Sequence, residues 1–92
     1  MTPLIFEWDR EKALANQRKH KVSFTLATEV FRDVAAITWP DVFHDGDGDR
    51  ELTLGATSKG IILVVAHTDR SGMLRIISAR KATPRERKVY RG

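Results

Sequence analysis

The sequence predicts an α+β domain: an antiparallel β-sheet with helices. Three observations carry this expectation. Two capped helical segments precede residue 34. Four runs rich in β-branched and apolar residues follow it, and the later ones are joined by tight Gly- and Asp-containing turns. Connections that short demand antiparallel pairing, because a parallel crossover needs a dozen residues or more. The 92 residues make one domain spanning 1–92, in the expected order β-α-α-β-β-β-β-α, with two helices on one face of the sheet.

Leu4-Ile5-Phe6-Glu7-Trp8 reads as the first strand. Asp9 is a good N-cap for a helix over about 10–19, with Glu11 favourable in the first turn and Arg18, Lys19 and His20 at the C-terminal end, where cations complement the helix dipole. Ser23 caps a second helix ending near Asp33, since Phe24, Ala27, Val30 and Phe31 recur on one face. Val34–Trp39 is a strand stopped by Pro40, and Asp41–Asp49 is an acidic, glycine-rich loop. Glu51–Ala56 alternates as a half-buried strand does. After the Ser58-Lys59-Gly60 turn, Gly60–Ala66 is apolar on both faces, which places it centrally in the sheet. Asp69-Arg70-Ser71-Gly72 turns the chain into a last strand over 73–81. Thr83-Pro84-Arg85-Glu86 is a capping box with proline at the first helical position, opening a helix over about 84–91.

Composition narrows the function. There are no cysteines, so disulfide scaffolds and Cys-based zinc sites are excluded. No apolar run approaches the ~18–20 residues of a membrane helix. The first nine residues carry acids and no early base, unlike a secretory signal. A cytoplasmic protein without membrane contact is expected. The formal charge of +4 is uneven: residues 41–51 hold five acids and one arginine, whereas 75–92 hold seven Lys/Arg and one acid. Asp45-Gly46-Asp47-Gly48-Asp49 has the spacing of a calcium loop, but Arg50 stands where glycine is needed and Ala56 where the bidentate glutamate belongs, so no metal or other cofactor is expected. Arginines flank the apolar run of Arg75-Ile76-Ile77-Ser78-Ala79-Arg80 at a strand-to-helix junction. Their planar forks match phosphate geometry, which makes RNA or DNA the first candidate partner.

Phe6-Glu7-Trp8-Asp9 with Lys12, Asn16, Lys19-His20, Val22, Phe24, Ala27 and Phe31, and later Arg50, Leu54-Gly55, Val64-Val65, Thr68, Arg75–Arg80, Ala82 and Glu86-Arg87, resemble the BrnT family across essentially the whole chain. The resemblance implies a toxin of a bacterial type II toxin–antitoxin pair with a fold similar to the RelE ribonucleases. It implies cleavage of RNA and neutralisation by a BrnA-like antitoxin with a ribbon-helix-helix DNA-binding part. Operator DNA would then be bound through the complex.

RNA can be cut without metal if a base takes the 2′-hydroxyl proton, an acid serves the leaving oxygen, and cations hold the charge on the phosphate. Arg80 is the leading candidate for that charge; the competing reading is an ion pair with Glu86. Arg75 is the second, although residues 75 and 80 of a regular strand point to opposite faces, so both reach one site only across a bulge. Glu86 is a candidate general base, against its local reason to stand at the third position of a capping box. His67, at the end of the central strand, is the histidine to test as a catalyst; His20 answers to the helix dipole and His44 to solvent in the acidic loop. Trp8 is a candidate for stacking on a base, against packing beneath the first helix. Lys12 opposes the dipole of that helix, which suggests a use in phosphate binding. Lys81 and Tyr90 complete the candidate RNA-binding set. The rival from another class is a non-catalytic nucleic-acid-binding module or operon co-repressor, which would use the same arginines without turnover.

Overall fold

A computed structural model describes residues 4–43 and 49–92. His44 and residues 45–48 of the acidic run lie outside the described residues. The elements are β1 (Ile5–Glu7), α1 (Arg10–His20), α2 (Phe24–Ala27) continued by a 3₁₀ helix (Thr28–Arg32), β2 (Ile37–Pro40), β3 (Glu51–Ala56), β4 (Ile62–Arg70), β5 (Met73–Lys81) and α3 (Pro84–Arg91).

The caps act as their residue types require. Asp9 accepts from the Lys12 N–H, and Ser23 from the Leu26 N–H. Thr83 and Glu86 exchange both bonds of the capping box. Ser71 and Gly72 both have positive φ, as a two-residue hairpin turn joining β4 to β5 requires. The expected second helix is a correction. Only 24–27 is α-helical and 28–32 tightens into 3₁₀. Thr28 turns its hydroxyl back to the Thr25 carbonyl. The tightened segment brings Val30 against Gly55, where an added Cβ would lie 3.1 Å from both the Val30 Cβ and its carbonyl oxygen. The strand expected over 34–39 is also later and shorter. Asp33 accepts from the Ala35 N–H and holds residues 34–35 in a turn before β2 begins.

The five strands among the described residues are ordered β1-β5-β4-β3-β2. The sheet is mixed rather than antiparallel, because β1 runs parallel to β5 in the register Glu7↔Arg75. The other three pairings are antiparallel. Two helices, α1 and α2, lie on one face as expected, and α3 lies on the other. On one face Val22, Phe24, Ala27 and Val30 pack with Leu63, Val65, Ile76 and Ala79. On the other, α3 brings Tyr90 onto Leu54, Ile62, Val64 and Ala82. β4 is buried from Ile62 to Thr68, as expected of the central strand. Burying a Leu63 or Phe24 side chain stabilises by about 1.5–3 kcal/mol each, so the larger cluster is the main support of the sheet.

Candidate nucleic-acid interface

β5 is fastened along both edges. β4 takes one. On the other, β1 stops at Arg75, and the buried side chain of Asn16 takes over. Its amide nitrogen donates to the carbonyls of Ala79 (2.8 Å) and Val22 (2.9 Å), and its oxygen accepts from the Ala79 N–H (3.0 Å). One helical side chain thus replaces a strand neighbour for the residue before Arg80, satisfying backbone groups that burial would otherwise orphan.

The pairing of β4 with β5 slips between Ala66 and His67: Ala66 stands opposite Ser78, but His67 opposite Ile76. Ile77 is the extra residue of this bulge. An irregularity of one residue changes which side chains share a face. Arg75, opposite Thr68, and Arg80, opposite Val64, therefore lie on the same face, the one α3 partly covers. Thr68 and Val64 are four residues apart, roughly 13 Å along a strand. Ser78 and Ala66 lie between the arginines and are small, so the sheet surface is low there. Trp39, opposite Leu52, stands on this face across the sheet, half-buried.

Arg80 and Glu86 form a two-pronged ion pair, with Nη1 to Oε1 at 2.8 Å and Nη2 to Oε2 at 2.9 Å. The bonds from Arg80 hold the Glu86 carboxyl down at about 2. Glu86 Oε1 also accepts from the Thr83 N–H, and Thr83 accepts from the Glu86 N–H. With proline next in line, the helix start has few donors left for an anion. Arg75 makes a looser contact with Glu7 at 3.5 Å.

The other candidates are placed elsewhere. His67 lies on the opposite face, buried, with its ring edge-on to Phe31 and its Nε2 2.7 Å from the Thr53 hydroxyl, which in turn meets Thr38. Burial lowers its pKa to about 4, so it is neutral at pH 7. Trp8 packs edge-on against Phe24 on that same side of the sheet. Lys12 is exposed on α1. Lys81 is paired with Leu63 and so faces away from Arg80. Tyr90 shares the arginine face, but its hydroxyl donates to Asp33, which lowers the Asp33 pKa and raises that of Tyr90. The structure joins Arg80 to Glu86, puts Arg75 on the same face, and adds Ser78 and Trp39 to that face. Neither addition was legible in advance. Ser78 depends on the bulge, and Trp39 on a register set ten or more residues away.

The arrangement sets two guanidinium groups on one face of the sheet, Arg80 held by Glu86 and Arg75 beside Glu7. A family model described as the ribonuclease toxin, BrnT, of type II toxin–antitoxin systems matches residues 8–86. The chain is similar to the crystal structure of the Brucella abortus ribonuclease toxin BrnT, with a TM-score of 0.71 and 26% identity over 88% of this chain and 99% of that one. No curated protein sequence matches.

Proposed function

The chain belongs to the BrnT family of ribonuclease toxins of type II toxin–antitoxin systems, and on that premise we propose that it is a metal-independent endoribonuclease working on the arginine face of the sheet. The observation that carries this reading is the bulge that turns Arg75 and Arg80 to one side. The 2′-hydroxyl oxygen attacks the adjacent phosphorus, the bond to the 5′-oxygen breaks, the departing 5′-oxygen takes a proton from solvent, and a 2′,3′-cyclic phosphate is left. The guanidinium groups hold the charge that gathers on the phosphate oxygens, where they count most. Glu86 has two roles in sequence. In the free protein it aligns the Arg80 fork. When a phosphate draws Arg80 onto itself, Glu86 loses the contact that most lowers its pKa, becomes a stronger base and takes the 2′-hydroxyl proton. Trp39, rather than Trp8, offers a ring for an unstacked base. His67 takes no step, being neutral and on the far face.

The family places an antitoxin beside this chain. That role falls to a BrnA-like ribbon-helix-helix protein that covers the arginine face, with operator DNA bound by the pair in the cytoplasm. A RelE-like fold belongs to the same reading. A binding module without turnover is the second reading, favoured by the existing engagement of Arg80 with Glu86. Induced expression separates the two. Wild type should arrest growth, Arg80→Ala and Arg75→Ala should not, and co-expression of a ribbon-helix-helix partner should restore growth and co-purify. Arrest by a folded Arg75→Ala/Arg80→Ala double variant would overturn the assignment.

A further inference from the structure

Around the end of the sheet from Arg80 lies a second cationic site. Gly60, Ile61, Lys81, Ala82, Arg87 and Arg91 line an open cavity of about 260 Å³ together with Ile62. Three of these residues are cations and none is an acid. Among the described residues no carboxylate pairs with Lys81, Arg87 or Arg91. Arg87 is fixed in place by a 2.9 Å bond from Nη1 to the Ala82 carbonyl. Among the described residues its remaining donors have no partner, and Lys81 and Arg91 are exposed. The cavity is smaller than the ~300–1,000 Å³ usual for a whole small-molecule ligand. Unpaired cations over a shallow hollow suit a phosphate group with its sugar left in solvent.

The site adjoins the proposed cleavage groove through the chain itself. Arg80 and Lys81 are successive residues of β5 facing opposite ways, and Glu86 and Arg87 are successive residues of α3. A strand passing over the end of β5 leaves one site and enters the other. We propose that this cavity is a backbone subsite that grips a phosphate of the RNA away from the bond being cut, so that affinity depends on substrate length. The inference rests on the ribonuclease reading, but its test does not depend on cleavage.

The test uses the full chain and 2′-O-methyl RNA, which lacks the attacking hydroxyl. Two probes are compared by anisotropy: a trinucleotide and a strand long enough to span the 32 Å domain. Wild type should bind the longer strand more tightly. Arg91→Gln should weaken it roughly five-fold and lower the slope of log affinity against log salt by about 0.7, the share of one phosphate contact on a single strand. Binding of the trinucleotide should be unchanged. Arg91→Glu should weaken the longer probe further, and Arg87→Gln should act in the same direction. Arg91 is exposed and, among the described residues, its side chain makes no hydrogen bond or ion pair that its loss would disturb. The inference is overturned if Arg91→Glu binds the longer strand as wild type does, if both probes weaken equally, or if the variant loses only a co-purifying antitoxin. In a separate arm, wild type that leaves unmodified RNA intact would refute the ribonuclease reading while the length dependence still decides the subsite.

Discussion

Asn16 is where stability and the arginine face meet. Asn16→Ala removes three buried hydrogen bonds at once. The Ala79 N–H loses its acceptor and the carbonyls of Val22 and Ala79 lose a donor. A buried orphaned donor costs about 1–3 kcal/mol, and a carbonyl with one bond lost costs less. Taking roughly 2 kcal/mol for the N–H and about 1 for the two carbonyls gives about 3 kcal/mol. For a domain of this size that is roughly 12–24 °C in Tm. Urea and thermal unfolding of wild type and variant measure it, and hydrogen exchange should show lost protection at the Ala79 amide. Asn16→Asp separates hydrogen bonding from volume. Its carboxylate can accept from Ala79 but confronts two carbonyl oxygens, so its folded pKa should rise above the unfolded value. That variant should be least stable above the raised pKa and recover as pH falls through it, because the protonated acid can donate again. An Asn16→Ala variant within 0.5 kcal/mol of wild type would refute the view that this side chain stands in for a strand.

Four further outcomes follow from the same geometry. His67 has a folded pKa near 4 against 6.5, so the unfolded chain binds its proton first. Stability should fall by about 3 kcal/mol as pH drops from 6.5 to 4, and His67→Gln should flatten that interval in pH-dependent unfolding. Gly55→Ala should destabilise by about 1–3 kcal/mol, since the new Cβ meets Val30 backbone as well as side chain; an unchanged urea midpoint would show that the 3₁₀ segment yields freely. Glu86→Gln should cut the cleavage rate while leaving RNA affinity equal or higher, because Arg80 is freed for phosphate; a rate equal to wild type would remove Glu86 as the base. Trp8→Phe should leave RNA affinity unchanged and Trp39→Ala should lower it, as fluorescence titration would report.

Local chemistry in the sequence reached the helix caps, the Ser71-Gly72 hairpin, the β5 limits and α3, because each depends on residues within a few positions. The parallel pairing of β1 was not legible. Ile5–Glu7 finds its partner nearly seventy residues on, and nothing near it states a direction. The division of helices between two faces was hidden for the same reason. Val64 and Leu54 are apolar on the side α3 covers, yet alternation does not say which helix covers them. The breaking of the second helix into 3₁₀ follows from the approach of Val30 to Gly55, a tertiary contact. Of the candidate site, Arg75, Arg80 and Glu86 were visible as residue types at a strand-to-helix junction. Their sharing of a face was visible only as a condition, since it turns on Ile77 being the bulged residue. His67 and Trp8 have the right chemistry but the other side of the sheet, and a one-residue change of register is enough to make that difference.

The central claim is that the Arg75–Arg80 face cuts RNA without a metal. The direct measurement is cleavage of end-labelled RNA by purified wild type and Arg80→Ala in excess EDTA, with the product ends identified. Wild type should leave 2′,3′-cyclic or 3′-phosphate ends. A folded Arg80→Ala should lose on the order of 3 kcal/mol of transition-state stabilisation, about a hundred-fold or more in rate. Activity that vanishes with EDTA and returns with magnesium, or a variant that cuts at the wild-type rate, would contradict it.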